Sequence, residues 1–229
     1  MPYLQDMAFL FSDKFLFLIM AANKSLSPLY ENQIYHVYNR GNNGENLFYK
    51  HDNYSYFLQQ YYFHLSPYLE TFAYCLLPNH FHLLVRIKSY KDFPEQREAI
   101  SSRNGLSIAP EYLASEHFRR FFIGYAKAIN KQESRTGSLF QKPFKRKPVN
   151  DEHYFSQLVY YIHANPQLHG ISDDFRTYPY SSYNSLPSEK STKLLREEVL
   201  EWFGSKKSYY IFHEQEQNIK PIKDLMIEE

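Results

Sequence analysis

Cysteine is nearly absent from this chain: Cys75 is the single one in 229 residues. One thiol excludes an internal disulfide and a cysteine-rich zinc site, and points to a reducing compartment, here the cytoplasm. Glycine is scarce too, at seven residues. With no internal repeat, that excludes a solenoid or a low-complexity chain. Net charge is close to zero, at +1, which by itself says nothing about a nucleic-acid partner. Long hydrophobic runs are also missing. Met7 to Ala22 comes closest, but it is interrupted by Asp13 and Lys14 and is too short to span a bilayer. A secretory signal would need a basic start, where this chain carries Asp6 and Asp13. Met20 is an alternative initiator, and residues 1–30 read as an N-terminal extension outside the functional core.

What is present is apolar and aromatic. At 43% hydrophobic and 18% aromatic residues, the chain can bury one sizeable core. Its charge is segregated. From Arg119 to Lys147 there are nine basic residues (Arg119, Arg120, Lys127, Lys131, Arg135, Lys142, Lys145, Arg146, Lys147) against one acid, Glu133. The tail beyond Glu189 is slightly acidic. A basic surface on an otherwise neutral protein fits a nucleic-acid partner, and equally a solvated helix face.

Residues 33–39 alternate and are rich in β-formers, so they predict a strand, and Arg40 to Gly44 a turn. Asp52 predicts a helix cap, with the helix running to about His64. Leu69 to Leu77 and His80 to Ile87 predict a hairpin joined at Pro78-Asn79. Glu111 to Glu133 has helical periodicity, and Gly137 breaks it. Leu139 to Val149 predicts a short strand or extended segment. Asn150 or Asp151 opens another helix to about Ala164, which Pro166 is expected to end. A final helical stretch is expected near Thr192 to Phe203. The order β-α-β-β-α-β predicts an α+β, ferredoxin-like antiparallel sheet with helices packed on one face. The expected division is residues 31–187 as the functional domain and 188–229 as a helical tail.

Within the second predicted hairpin strand, two histidines flank one bulky apolar residue: His80-Phe81-His82. On a strand, side chains alternate between faces, so both imidazoles project from one face while Phe81 enters the core. Two imidazoles ~6–7 Å apart along a strand can share one divalent metal if a third ligand arrives. The helix beyond Asn150 offers one. Tyr161 and Asn165 are four apart and share a face. A phenol nucleophile beside a metal-binding amide oxygen is a coherent set, with metal on His80, His82 and Asn165. That mixed, half-open shell suits Mg²⁺ or Mn²⁺. Lewis-acid polarisation of a phosphate would offset the weak nucleophilicity of a phenol of ordinary pKa ~10. Each piece has a plainer reading: a hydrogen-bonded histidine pair, a packing tyrosine, an asparagine at a helix end. Tyr160 is the rival nucleophile, but it lies ~100° around the helix and its i+4 neighbour is Ala164.

Pro78-Asn79-His80-Phe81-His82-Leu83-Leu84-Val85 resembles the histidine–hydrophobe–histidine motif of single-tyrosine HUH transposases. These are the insertion-sequence-200-like enzymes and the REP-associated tyrosine transposases. Tyr161-Ile162-His163-Ala164-Asn165-Pro166 looks like the tyrosine helix of the second group. Tyr35 to Gly41, Gly137 to Gln141 with Phe144-Lys145-Arg146, and Ser181-Ser182-Tyr183 are similar to its first strand, middle segment and downstream signature. The resemblance covers about two thirds of the chain, Tyr35 to Tyr183. Ala164 stands where leucine is usual, and Gln167-Leu168-His169-Gly170 replaces a segment that often carries arginine.

The resemblance implies an HUH endonuclease fold and metal-dependent cleavage and rejoining of single-stranded DNA. It implies attack by Tyr161 to give a 5′-phosphotyrosine and a free 3′-OH, near a recognised hairpin, in DNA transposition or REP-element mobilisation. Arg119, Arg120, Lys142, Lys145, Arg146 and Lys147 become candidate phosphate contacts, and Phe140, Phe144 or Tyr125 candidate base-stacking partners. The implied protein is a monomer or homodimer with no membrane partner. The alternatives are a catalytically silent hairpin DNA- or RNA-binding relative and a hydrolase that uses a metal-bound water.

Overall fold

The computed structural model describes residues 28–94, 109–151, 154–215, 217, 218 and 220. The expectations for the N-terminal stretch, residues 28–30 apart, lie outside these residues. Alternating apolar residues give strand β1, Ile34–Arg40. Helix α1, His51–Leu65, starts with a reciprocal cap between Lys50 and Asn53 rather than at Asp52. The hairpin falls where expected, as β2 Leu69–Leu77 and β3 His80–Ile87. Helix α2 is Pro110–Gln132, with proline in its first turn, where a missing N–H costs nothing. Strand β4 is short, Lys145–Pro148.

The four strands form one sheet in the order β2-β3-β1-β4. Every neighbour is antiparallel. This is the ferredoxin-like arrangement expected from the element order. Because strand periodicity is two, each strand feeds two cores. Tyr35, Val37, Phe81, Leu83 and Val85 meet α1 and α2 in one. Phe57, Phe81, Phe121, Tyr125 and Phe140 interlock there at centroid separations from 4.9 to 6.4 Å. A bulge between Thr71 and Ala73 shifts the β2 register. It lets Phe72 and Ala73 both enter the second core.

That second core defines the other face of the sheet. Helix α3, Phe155–Leu168, packs mainly on β2. Two further helices, α4 Arg196–Trp202 and α5 Lys206–Glu214, pack with it through Val199 and Tyr209. So α1 and α2 share one face as expected, and α3 covers the opposite one. The helical tail shares its core with α3, where Trp202 stacks on Phe155. The tail carries a second helix, α5, beyond the expected end at Phe203.

Pro166 does not end α3, which continues to Leu168. A proline lacks only its own N–H, so the helix loses one internal bond. The carbonyl of Pro166 is then satisfied from beyond the helix by the N–H groups of Ile171 and Ser172. The helix also starts later than expected, at Phe155. Gly41, after β1, is a steric requirement: a Cβ there would collide with the carbonyl of Glu45.

Candidate functional site

His80 and His82 leave β3 on the face that α3 covers, and Phe81 leaves on the other. Pairing sets the neighbours. His82 lies opposite Tyr38 on β1 and Cys75 on β2, and His80 lies opposite Arg40 and Leu77. Tyr161 on α3 meets this face edge-on, with its ring centroid 5.6 Å from His82 and 6.1 Å from His36. The four expected residues His80, His82, Tyr161 and Asn165 are therefore brought together within one chain, and all four are buried.

The hydrogen bonding of the group is one-sided. The Nδ1–H of His80 donates to the Asn79 carboxamide oxygen at 2.7 Å, which leaves Nε2 as a lone pair. Nδ1 of His82 shares a proton with Nε2 of His36 at 2.9 Å. The Asn165 amide donates to the Tyr161 carbonyl at 2.8 Å, one turn back, which turns its oxygen the other way. Nε2 of His80, Nε2 of His82 and Oδ1 of Asn165 are all buried, and no hydrogen bond of good geometry satisfies them, although the Asn165 side chain lies close enough to both imidazoles to act on their protonation. A buried polar atom without a partner costs about 1–3 kcal/mol. Three such polar atoms on neighbouring side chains, with His82 in the tautomer that donates from Nδ1 to His36, are the pattern expected where a cation completes the shell.

Burial lowers the His80 pKa to about 3, with His169 and Arg40 adding to the effect and the Asn165 side chain opposing it. Burial pushes His82 well down too, helped by His36, His80 and His169 and again opposed by Asn165. Both imidazoles are thus neutral near pH 7, the state that binds a metal. Among the described residues, no three His, Cys, Asp or Glu side chains form a metal-holding group. A third protein ligand from this cluster would have to be of another type, and Asn165 is one.

His36 has no place in the expected site, although it supports His82. It lies inside the Tyr35 to Gly41 match, and its parity on β1 puts it on the Tyr38 face. The registration of β1 against β3, which brings it to His82, is not written in either strand alone. His163 is held away from the site. Its ring nitrogens contact Nε2 of His213 at 3.0 Å and the Ser182 hydroxyl at 2.8 Å. Ser182 in turn accepts from the Tyr74 N–H at 2.9 Å. The Ser181-Ser182-Tyr183 signature thus ties α3 to β2 and to α5.

The six candidate DNA contacts do not form one patch. Lys145 and Lys147 pair with Tyr38 and His36 and so share the histidine face, with the Lys147 ammonium 5.9 Å from the Tyr38 ring. Arg146 points the other way. It stacks 4.0 Å over Phe144, donates to the Ser115 hydroxyl at 3.0 Å, and has its pKa lowered to about 10 by burial. Arg119 and Arg120 on α2 both ion-pair with Glu116, at 2.6 and 2.9 Å. Arg119, Lys127 and Lys142 rim a groove of about 670 Å³ on the α2 face, floored by Phe122, Phe140 and Phe144. Phe140, Phe144 and Tyr125 are core residues rather than exposed stacking platforms: all three are buried, and the Tyr125 hydroxyl donates to the Leu47 carbonyl.

Among the described residues no helix is long and apolar enough to cross a membrane. No family model matches the chain. It is 28% identical over 117 residues to a Haemophilus influenzae protein described as "Putative REP-associated tyrosine transposase". The match covers 50% of this chain and 59% of that protein, so the chain spans about three fifths of its relative. The resemblance to REP-associated tyrosine transposases carried by the motifs thus extends to sequence identity over half the chain. A solved REP-associated tyrosine transposase bound to a REP hairpin overlaps it with a TM-score of 0.49 at 14% identity, over 69% of this chain and 81% of that one. A bacterial tRNA(His) guanylyltransferase-like protein in complex with GTP overlaps with a TM-score of 0.41 at 10% identity, over 67% and 72%.

Proposed function

We propose that this chain cleaves and rejoins single-stranded DNA beside a hairpin, through a covalent bond between Tyr161 and a 5′-phosphate, as a transposase of the REP-associated type. The observation that carries this reading is the cluster of three buried polar atoms without a well-formed hydrogen bond, on His80, His82 and Asn165, against the ring of Tyr161. His80 Nε2, His82 Nε2 and Asn165 Oδ1 would hold one Mg²⁺ or Mn²⁺. When bound, that cation supplies Lewis-acid stabilisation of charge on the reacting phosphate.

The chain's own residues do the rest. Asn79 and His36 fix the ring orientations of His80 and His82, the role of outer partners in metal sites. The Asn165 side chain, anchored on the Tyr161 carbonyl, ties the ligand and the nucleophile to the same helical turn. Burial of the Tyr161 ring keeps water from competing for the phosphate. In the reaction the Tyr161 oxygen bonds to phosphorus as the bond from phosphorus to the 3′ oxygen breaks. Overall the phenolic proton ends on the departing 3′ oxygen. One phosphodiester replaces another, so the bond energy is kept and a second 3′-OH can reverse the step. Lys145 and Lys147 approach the strand from the histidine face. Arg119, Arg120 and Lys142 contact hairpin phosphates from the α2 face, which positions DNA without reading sequence.

The test is a hairpin oligonucleotide with a single-stranded flank, incubated with Mn²⁺ and either the wild type or Tyr161→Phe. The wild type should give a protein–DNA species stable to SDS, and the variant none. An adduct in both removes Tyr161 as the nucleophile. Cleavage without an adduct, surviving Tyr161→Phe, favours a metal-bound water. Hairpin binding with no reaction on any matched strand leaves the silent binder. Mn²⁺ binding, followed by its electron spin resonance signal, gives a readout independent of cleavage.

A further inference from the structure

A cleft of about 290 Å³ opens beside the histidine pocket, with Arg40, Asn46, Asn79, His80, His169 and Ile171 on its walls. Two periodicities put it there. Arg40 pairs with His80 across β1 and β3, and so emerges on the same face. His169 is the C-cap of α3, four residues after Asn165 and eight after Tyr161, so the three follow one side of the helix. Its ring comes within 4.8 Å of the His80 ring. Among the described residues no carboxylate lines the cleft. The Asn79 oxygen is taken by the His80 N–H, which leaves its NH₂ group for a ligand. His169 lies in the segment where this chain departs from the family it resembles, so the family pattern does not supply it.

A guanidinium, an imidazole and two carboxamides around a space of this size suit a singly charged tetrahedral anion with an apolar neighbour, which Ile171 can meet. A duplex would not fit. We propose that the cleft is a phosphodiester subsite, which seats the single-strand backbone one unit away from the phosphate that Tyr161 attacks. Arg40 makes the ionic contact and His169 donates a ring N–H. This inference rests on the function proposed above, and it names where the strand lies.

The test uses the full chain carrying Tyr161→Phe, a labelled single-stranded oligonucleotide, EDTA, and a salt titration. With Arg40→Ala, affinity should fall about 10-fold, the worth of one charge-assisted hydrogen bond. The slope of log affinity against log salt should shrink by about 0.7, the value for one single-strand phosphate. His169→Ala should weaken binding several-fold, and His169→Asn, which keeps an N–H donor, should restore most of it. With Tyr161 present, the same changes should raise KM more than they lower kcat. Unchanged affinity and slope in folded Arg40→Ala and His169→Ala overturn the subsite. If Arg40→Ala fails to fold, Arg40→Gln is read the same way. An adduct that forms in the wild type while these variants bind normally sinks the subsite alone. Weakened binding with no adduct in the wild type sinks the strand-transfer reading alone.

Discussion

On one face of the sheet, Val37, Phe81, Leu83 and Val85 meet α1 and α2 in a core of interlocked aromatic rings. On the other, His36 and His82 meet Tyr161 of the helix α3, with Tyr38 and His80 beside them. The same strands build both, and residues one apart in sequence serve opposite ends. The first face gains stability from apolar area and ring contacts, each aromatic pair adding about 0.5–1.5 kcal/mol beyond area. The second leaves three buried polar atoms without a well-formed hydrogen bond, each such atom costing about 1–3 kcal/mol when wholly unmet. The contrast teaches that the hairpin register is held by the stable face on behalf of the costly one.

Adjacent residues give the largest test of that contrast. His82→Ala should lower Mn²⁺ affinity by more than about 100-fold, beyond what loss of an outer partner does. It should abolish the adduct while lowering the unfolding midpoint in urea by less than Phe81→Ala does. Phe81→Ala should do the reverse. It should cost about 3–5 kcal/mol of stability, as expected for a fully buried phenylalanine, and leave Mn²⁺ affinity of the folded protein within a few-fold. If Phe81→Ala also destroys metal binding in protein that is demonstrably folded, the two faces are not separable.

His36 sharpens the same comparison. Its contact with His82 is the sort of outer-shell bond whose loss typically costs 10–100-fold in metal affinity. His36→Ala should therefore fall in that range when titrated with Mn²⁺, and His36→Gln, which keeps a hydrogen-bonding group, should recover part of it. A variant indistinguishable from wild type would make His36 mere packing.

How far the sequence could be read divides along the same line. Strand parity on His80-Phe81-His82 and the i, i+4 pair Tyr161 and Asn165 were legible, because each is a local period. The hairpin ends at Leu77 and His80 were legible because Pro78-Asn79 cannot continue a strand. The cover of α3 over the histidine face was legible only through the shared metal set of His80, His82 and Asn165, not through the order of elements, since it depends on the chain crossing the sheet after β4. His36 was missed because strand pairing is a long-range choice. Pro166 misled because its carbonyl finds donors at Ile171 and Ser172, beyond the helix. Phe140 and Phe144 misled because a basic neighbourhood says nothing about which way a ring turns.

The tail side of the second face carries a pH dependence. Burial lowers His213 to about 4, and pushes its partner His163 well down as well. In the unfolded chain both return to about 6.5. Between those values the unfolded state binds more protons, so stability is complete above about pH 6.5 and falls as pH drops towards 4. In metal-free protein His80 and His82 act with the same sign. His213 alone should cost about 2 kcal/mol by pH 5, read as a drop in the urea midpoint from pH 7.5 to pH 5. His213→Gln should flatten that drop without altering its sign. A midpoint that rises on acidification would mean the pair is charged in the folded state.

The smallest effects belong to the basic groove on the α2 face. Arg119, Lys127 and Lys142 sit at its rim, across the sheet from the histidines. Each contact with a duplex phosphate contributes about 0.9 to the salt slope. Arg119→Ala, Lys127→Ala and Lys142→Ala should each weaken hairpin binding by a few-fold and lower the slope by about that amount. Arg119 is held by Glu116, so Glu116→Gln should release it and strengthen hairpin binding slightly, at some cost in helix stability. At saturating DNA none of these variants should change the rate of adduct formation, because phosphates held on this face do not touch the reacting groups. A drop in that saturated rate would show that DNA on one face alters the placement of Tyr161 on the other. The sheet would then be a conduit between the two regions rather than a partition.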